Sequence, residues 1–97
     1  MFLHTFLTRH PETVATEIDG EVVLMSLVTG RTFGLDKVAS RIWTLLESPR
    51  SIEAIVEELL KSYATTPEKC QADVIEFARQ LSEAQLIVAS SEQVVQK

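Results

Sequence analysis

The apolar and polar residues of the chain change period once, from alternation in the first third to helical spacing afterwards. In the segment "TVATEID", which begins at Thr13, successive residues alternate between two sides as they do in a strand. Asp19-Gly20 and Thr29-Gly30 then supply turns, because glycine accepts positive φ. The pattern predicts a three-stranded antiparallel meander with strands at residues 13–19, 21–28 and 31–35.

The middle strand of this meander is apolar on both sides, so one side must be covered by something other than the first core. Its two predicted faces carry Val22, Leu24 and Val28 on one side and Val23, Met25 and Leu27 on the other.

The two ends of the chain are predicted separately. The N-terminal "MFLHTFLTRH" predicts an edge segment and not a signal peptide, because its basic residue follows the apolar run and no small-residue cleavage site is present. At the other end "LIVAS" predicts a brief strand, and we expect the polar "SEQVVQK" tail to be frayed.

Three capped helices follow the meander. Asp36, Ser51 and Thr66 are placed to accept hydrogen bonds from first-turn N–H groups, and Pro67 suits the first turn of the third helix. Three strands followed by three helices predict an α+β fold related to winged helix-turn-helix domains. The predicted buried stripes are Val38, Ile42, Leu45 and Leu46, with Trp43 beside them; Ile52, Ile55, Val56, Leu59 and Leu60; and Cys70, Val74, Phe77, Ala78 and Leu81.

Length and composition exclude several classes of function. A chain of 97 residues predicts one domain, 1–97, with its core at about residues 13–88, and leaves little room for an enclosed catalytic cavity. A formal net charge of −5 argues against nucleic acid and anionic membranes as partners, because phosphate neutralisation needs basic side chains. No apolar run approaches the roughly 18 residues that span a bilayer.

The sequence contains no catalytic or metal-binding constellation. His4 and His10 have no supporting ligand cluster at metal-binding spacing, so we predict no metal and no cofactor. Cys70 is the single cysteine, which predicts a reduced, cytoplasmic setting, and with no base near it in sequence it is expected to be a buried thiol. We do not expect an enzyme.

Two segments of the chain carry an ordered set of short motifs. In "TGRTFGLDKVASRIWTLL", the dipeptide Leu35-Asp36 is followed by the small residue Ala39 and then by the pair Ile42-Trp43, which resembles the strand-to-helix core of the PqqD-like family. In the second half, a capped acidic-aliphatic helix, an Asp-Val-x-x-Phe segment and a closing Leu-Ile agree with the family. The resemblance extends over roughly residues 17–88.

Two positions depart from the family pattern, which commonly has glycine where this chain has Ala39 and Gln85. Alanine still allows close approach of the helix, so we expect the fold to be kept. Gln85 lacks glycine's freedom at positive φ, so we expect the last turn of the third helix to end differently.

The resemblance implies a non-catalytic adaptor that binds the leader segment of a ribosomally synthesised precursor peptide by β-strand addition. The adaptor presents the leader to a processing enzyme, such as the separate cysteine protease of lasso-peptide systems. The third strand is the expected edge, and a groove between it and the third helix is the expected source of specificity. The predicted peptide-binding residues are Arg31, Thr32, Phe33, Gly34, Leu35, Cys70, Asp73, Val74 and Phe77.

Each of these residues has a plainer interpretation. Val74 and Phe77 at helical spacing also fit an ordinary core, while Asp73 and Arg31 fit solvated surface positions. Three other functions stay open: a winged-helix DNA-binding regulator, a PqqD-type peptide chaperone for a radical enzyme, and a subunit whose second apolar face forms a homodimer or enzyme interface. The charged residues of the predicted third helix, Lys69 and Arg79 against Glu68, Asp73, Glu76 and Glu83, fit a DNA groove poorly.

Overall fold

The computed structural model describes residues 1–90, which form two sheets and three helices. The predicted α+β class is confirmed, as is the order of a three-stranded antiparallel sheet followed by three helices. Within residues 1–90 no helix combines the length and apolar character needed to cross a bilayer. The elements are β1 (Phe6–Arg9), β2 (Thr13–Ile18), β3 (Glu21–Ser26), β4 (Thr32–Gly34), α1 (Lys37–Leu45), β5 (Arg50–Ser51), α2 (Ile52–Ser62), α3 (Pro67–Glu83) and β6 (Ile87–Ser90).

The predicted meander is a sheet in the order β2-β3-β4, which we call the winged sheet. The turn between β2 and β3 has φ of +54° at Asp19 and +83° at Gly20, the left-handed pair that a two-residue hairpin requires. Strand β4 pairs with β3 so that Leu24 lies opposite Phe33. On its other side β4 has no neighbouring strand within the described residues, so it is an edge.

Strand β3 is shorter than predicted, and only one of its faces is buried. The strand stops at Ser26 because the Ser26 hydroxyl accepts hydrogen bonds from the N–H groups of Val28, at 3.2 Å, and Thr29, at 3.1 Å. Leu27 and Val28 are therefore exposed loop residues, and placing them in the strand was wrong. The inner face of the winged sheet carries the buried residues Val22, Leu24 and Leu35, and its outer face carries Ile18, Val23, Met25 and Gly34.

The N-terminal segment is the centre of a second sheet, in the order β5-β1-β6, so the prediction of an edge was wrong. Strand β1 pairs antiparallel with both neighbours, which places Phe6 opposite Ser51 and Ser90. The carbonyl groups of Leu3 and Thr5 also accept the first two N–H groups of α2, each at 2.9 Å. Those N–H groups have no partner inside the helix, so the N-terminal segment completes the helix start. The brief strand predicted from "LIVAS" is present as β6.

The three predicted helix caps are confirmed. The side chains of Asp36, Ser51 and Thr66 accept hydrogen bonds from the backbone three residues ahead, at 2.8, 3.1 and 3.2 Å. The predicted stripe of α1 is wrong at Val38, which is 41% exposed. The tail predicted to be frayed, residues 91–97, lies outside the described residues.

The core lies between the inner face of the winged sheet, the helices and the second sheet. Trp43 and Cys70 are both buried, as predicted, at 4% exposure. Arg9 ties the second sheet to α1, because its Nη2 donates to the Trp43 carbonyl at 2.7 Å and its guanidinium carbon lies 4.5 Å from the centre of the Trp43 ring. Packing of this kind is worth about 0.5–1 kcal/mol even at exposed sites.

A buried hydroxyl joins α1 to the end of β4. Leu35 donates its N–H to the Val22 carbonyl at 2.8 Å, but the return bond of that pair is replaced by Ser40. The Ser40 hydroxyl accepts the Val22 N–H at 2.9 Å and donates to the Leu35 carbonyl at 3.2 Å. Ser40 is only 6% exposed, so water cannot replace its hydroxyl as the hydrogen-bond partner of Val22 and Leu35. The hydroxyl therefore closes the ladder where the chain leaves the sheet.

Helix α3 ends in a Schellman motif despite the missing glycine. Gln85 has φ of +62°, its N–H bonds to the Ser82 carbonyl at 3.1 Å, and the Leu86 N–H bonds to the Leu81 carbonyl at 2.9 Å. The expectation of a different last turn was wrong, because glutamine accepts the left-handed conformation here. Left-handed backbone costs a residue with a Cβ about 1–2 kcal/mol relative to the right-handed form.

We expect Ser40→Ala to lower the free energy of unfolding by about 1–3 kcal/mol, because the Val22 N–H would be left buried without a partner. Urea denaturation followed by circular dichroism measures this change. Ser82→Ala is the matched control, since this serine in α3 makes no side-chain hydrogen bond within residues 1–90, and it should change stability little. Equal stability of Ser40→Ala and wild type would contradict the role given to this hydroxyl.

We expect Gln85→Gly to raise the free energy of unfolding by about 0.5–1 kcal/mol, because relief of the left-handed strain exceeds the entropic cost of glycine. The measurement is the thermal midpoint, which should rise by a few degrees. Ala84→Gly serves as the control: with φ of −84° it gains nothing from glycine and should lower the midpoint. A lower midpoint in Gln85→Gly would show that the glutamine side chain stabilises this exit.

Candidate functional site

A cavity of about 460 Å³ opens between the first turns of α1 and the first half of α3. The end of α2 and the loop that joins it to α3 close one side. The residues that line the cavity are Asp36, Val38, Ala39, Ile42, Leu59, Tyr63, Ala64, Thr65, Lys69, Cys70, Asp73, Val74 and Phe77.

Helical spacing gives this cavity an apolar floor and a mixed rim. On α3, Cys70 and Val74 are buried and form part of the floor. Lys69, Asp73 and Phe77 follow one another at four-residue intervals along the same helix, and they lie at the rim with greater exposure. An apolar side chain entering the cavity would therefore contact the floor while its backbone stayed near polar groups.

The charges at the rim are already partnered. Lys69 Nζ lies 3.3 Å from Asp73 Oδ2, and Asp36 Oδ1 accepts the Ala39 N–H at 2.8 Å. Burial raises the pKa of the Cys70 thiol, and the neighbouring Asp73 carboxylate raises it further. At neutral pH this thiol is protonated, so it serves as an apolar part of the floor and not as a nucleophile.

The open side of β4 carries backbone groups that no described strand uses. Arg31 and Leu35 bond to β3, since the Arg31 carbonyl accepts the Ser26 N–H at 3.0 Å and the Leu35 N–H donates to Val22. Because bonding alternates along an antiparallel strand, the N–H and C=O groups of Thr32 and Gly34 point away from β3. Two residues of β4 are thus available to pair with another chain.

The predicted residues of α3 line the first cavity together, and none of the predicted residues 31–35 lines it. Cys70, Asp73, Val74 and Phe77 all line the cavity described above. Phe33 lies outside that lining; it is half-buried against the core, and the guanidinium of Arg31 lies 4.9 Å from the centre of its ring. Gly34 and Leu35 line a second cavity of about 480 Å³. Thr32 lines neither cavity.

Residues of α1 complete the site, and the sequence analysis did not assign them to it. Asp36 lines both cavities, so they meet where β4 passes into α1. Val38 and Ile42 line the first cavity from α1, and Tyr63 lines it from the end of α2. The signal for Val38 was available as an apolar residue in the first turn of a helix, but helical spacing assigned it to the core.

The family model described as "Coenzyme PQQ synthesis protein D (PqqD)" matches residues 21–87 of the chain. The matched region contains β3, β4, all three helices and the start of β6, and therefore both cavities except for the residues contributed by β2 and its turn. No curated protein matches the chain.

Two solved structures are similar to this chain over most of its length. One, TbiB1 in complex with the TbiA(beta) leader peptide, is 36% identical to this chain and has a TM-score of 0.80; the match covers 88% of this chain and 99% of that one. The other, lasso peptide synthetase B1 complexed with the leader peptide, is 20% identical, has a TM-score of 0.74 and shares the fold; that match covers 84% of this chain and 96% of the other.

Proposed function

The chain belongs to the PqqD family, and on that premise we propose that it binds the leader segment of a ribosomally synthesised precursor peptide and presents it to a processing enzyme. The observation that carries the proposal is an open strand edge, β4, beside an apolar cavity, in a chain 36% identical to TbiB1 bound to a leader peptide. The family named from the sequence is therefore correct.

The leader pairs with β4 as an added strand. The free N–H and C=O groups of Thr32 and Gly34 form the hydrogen bonds, and the leader brings the complementary groups of its own backbone. The edge is kept in position by its other residues, because the backbone groups of Arg31, Phe33 and Leu35 bond to β3. Backbone pairing alone accepts any sequence, so selection among peptides depends on side chains.

Selection comes from leader side chains that enter the first cavity. Cys70 and Val74 offer a buried apolar floor, and the half-buried ring of Phe77 offers a wall. Burial of apolar surface at a well-packed anchor supplies most of the binding energy in such interfaces. Asp73 at the rim adds a hydrogen bond or an ion pair, because its carboxylate can accept further bonds beside its exposed contact with Lys69.

In this proposal the chain is an adaptor and not a catalyst, and its second partner is an enzyme such as a cysteine leader protease. The protonated, buried Cys70 offers no nucleophile, which supports a role in binding for this chain and leaves catalysis to the enzyme. A radical enzyme of the kind served by PqqD is the alternative partner.

DNA binding through α3 is disfavoured by the pairing of its basic residues. Arg79 bonds to Glu76 and Glu83, and Lys69 bonds to Asp73, all on the same helix. A phosphate backbone would have to displace these carboxylates and approach a chain of net charge −5.

Titration with synthetic leader segments, taken from precursor peptides encoded beside the gene for this chain, tests the proposal. We expect one of them to shift the backbone amide resonances of residues 31–35, most strongly at Thr32 and Gly34, because these N–H groups gain partners. A scrambled peptide of the same composition is the control. Unchanged resonances at residues 31–35 with every leader would contradict strand addition.

We expect Phe77→Ala to weaken binding of that leader by about tenfold, because truncation of an apolar anchor in a well-packed interface costs about 1–3 kcal/mol. Fluorescence anisotropy with a labelled leader measures the dissociation constant. Ile75→Ala is the matched control, since Ile75 is partly buried on the same helix but lies outside the cavity lining. Wild-type affinity in a folded Phe77→Ala protein would remove this residue from the site.

A further inference from the structure

The second cavity lies at the hairpin end of the winged sheet and combines an apolar base with an acidic rim. Among the residues that line it, Asp19, Glu21 and Asp36 are exposed acids, and no basic side chain is present. The complete lining consists of Ile18, Asp19, Glu21, Val22, Val23, Gly34, Leu35 and Asp36. The first cavity differs, because Lys69 offsets one of the two acids at its rim.

The register of the sheet assigns this cavity largely to the outer face. Val23 lies opposite Thr16 on β2 and opposite Gly34 on β4, and residues directly opposite one another share a face. Ile18 lies two residues from Thr16 and so shares that face as well. A Cβ built on Gly34 would have no heavy atom within 4 Å, so the space above this end of β4 is open.

A guest strand paired antiparallel to β4 would place one side chain next to the open space at Gly34. The guest residue opposite Gly34 points to the same face as Gly34, which is the outer face. Its two neighbours in the guest point to the inner face, where the helices pack. Because Gly34 directs its N–H and C=O toward the guest, this residue is held by two backbone hydrogen bonds.

The charges around this space select the chemistry of that side chain. Within residues 1–90 neither Asp19 nor Glu21 forms an ion pair, whereas the carboxylate of Asp36 already caps α1. A long side chain with an apolar stem and a cationic head would pass over Gly34 and Val23 and bring its charge toward Glu21 on β3, with Asp19 adding negative charge from the turn beyond it. Lysine and arginine have this form.

We propose that the second cavity accepts a lysine or arginine side chain of the bound peptide, at the position opposite Gly34. The proposal rests on the proposed function, because it requires a guest strand on β4. It adds a rule for the leader: a basic residue on the outer face, flanked in sequence by residues whose side chains point inward.

A substitution scan of the leader peptide tests this rule. Each position in turn is made lysine, norleucine or glutamate in synthetic peptides, and the dissociation constant of each is measured by fluorescence anisotropy. We expect one position at which lysine binds about twofold to fivefold more tightly than norleucine, the range of an exposed ion pair. At about 1 M salt the preference for lysine should disappear, because the Debye length falls to about 3 Å and the attraction between exposed charges is screened.

The double variant D19N/E21Q identifies the acids responsible. Asparagine accepts the left-handed backbone of residue 19 at least as well as aspartate does, so the hairpin turn is kept. The variant should bind lysine and norleucine peptides equally. The control is E57Q/E68Q, which removes the same charge from exposed positions on α2 and α3 outside both cavities and should keep the preference.

The outcomes separate this proposal from the function on which it rests. Peptides that bind and shift the amides of Thr32 and Gly34, yet show no position with a lysine preference, would overturn the basic subsite and leave the adaptor function intact. A preference that survives in D19N/E21Q would also overturn it. Absence of binding by every peptide would overturn both.

Discussion

The hydroxyl of Ser40 hydrogen-bonds the end of the open edge, just after β4, to the first helix. Where a strand leaves a sheet, its backbone hydrogen bonds to the neighbouring strand normally stop. Here the last residue pair keeps one direct backbone bond, from the Leu35 N–H to the Val22 carbonyl. Ser40 supplies the missing donor and acceptor from the first helix, so the end of the strand edge is hydrogen-bonded to a helix that lines the first cavity. Asp36, which caps that helix and lines both cavities, lies at the same junction.

The short length of β4 has consequences for both solubility and selectivity. An open edge invites pairing with any extended chain, and natural proteins reduce that risk by keeping edge strands short. With only Thr32 and Gly34 turned outward, backbone bonds give a guest little affinity by themselves. Affinity for a particular peptide must then come from side chains that enter the two cavities sharing Asp36, because side-chain contacts distinguish one sequence from another.

The parts of the fold that the sequence predicted are those governed by neighbouring residues. The turn at Asp19-Gly20 and the cap at Asp36 each depend on chemistry within four residues, and both are present as predicted. The second sheet depends on contacts between residues far apart in the chain, such as Phe6 with Ser90, and no local pattern reveals that pairing.

The clustering of the candidate site residues was predictable to a similar degree. Helical spacing places positions 70, 73, 74 and 77 on one side of α3, and all four residues line the first cavity. The same spacing placed Val38 in the core, since periodicity cannot distinguish a core from a cavity that faces solvent. The prediction that α3 would end differently at Gln85 failed for another reason. A positive φ costs a residue other than glycine some free energy but does not exclude it.

The pairing of β1 with β6 brings the two ends of the fold side by side, with Phe6 opposite Ser90. A protein module joined through a linker before β1 would leave from nearly the same place as one joined after β6. Gene fusions in either order would therefore tether their modules to one common point of attachment, and a permuted chain with new ends elsewhere would need only a short bridge to connect the old ones.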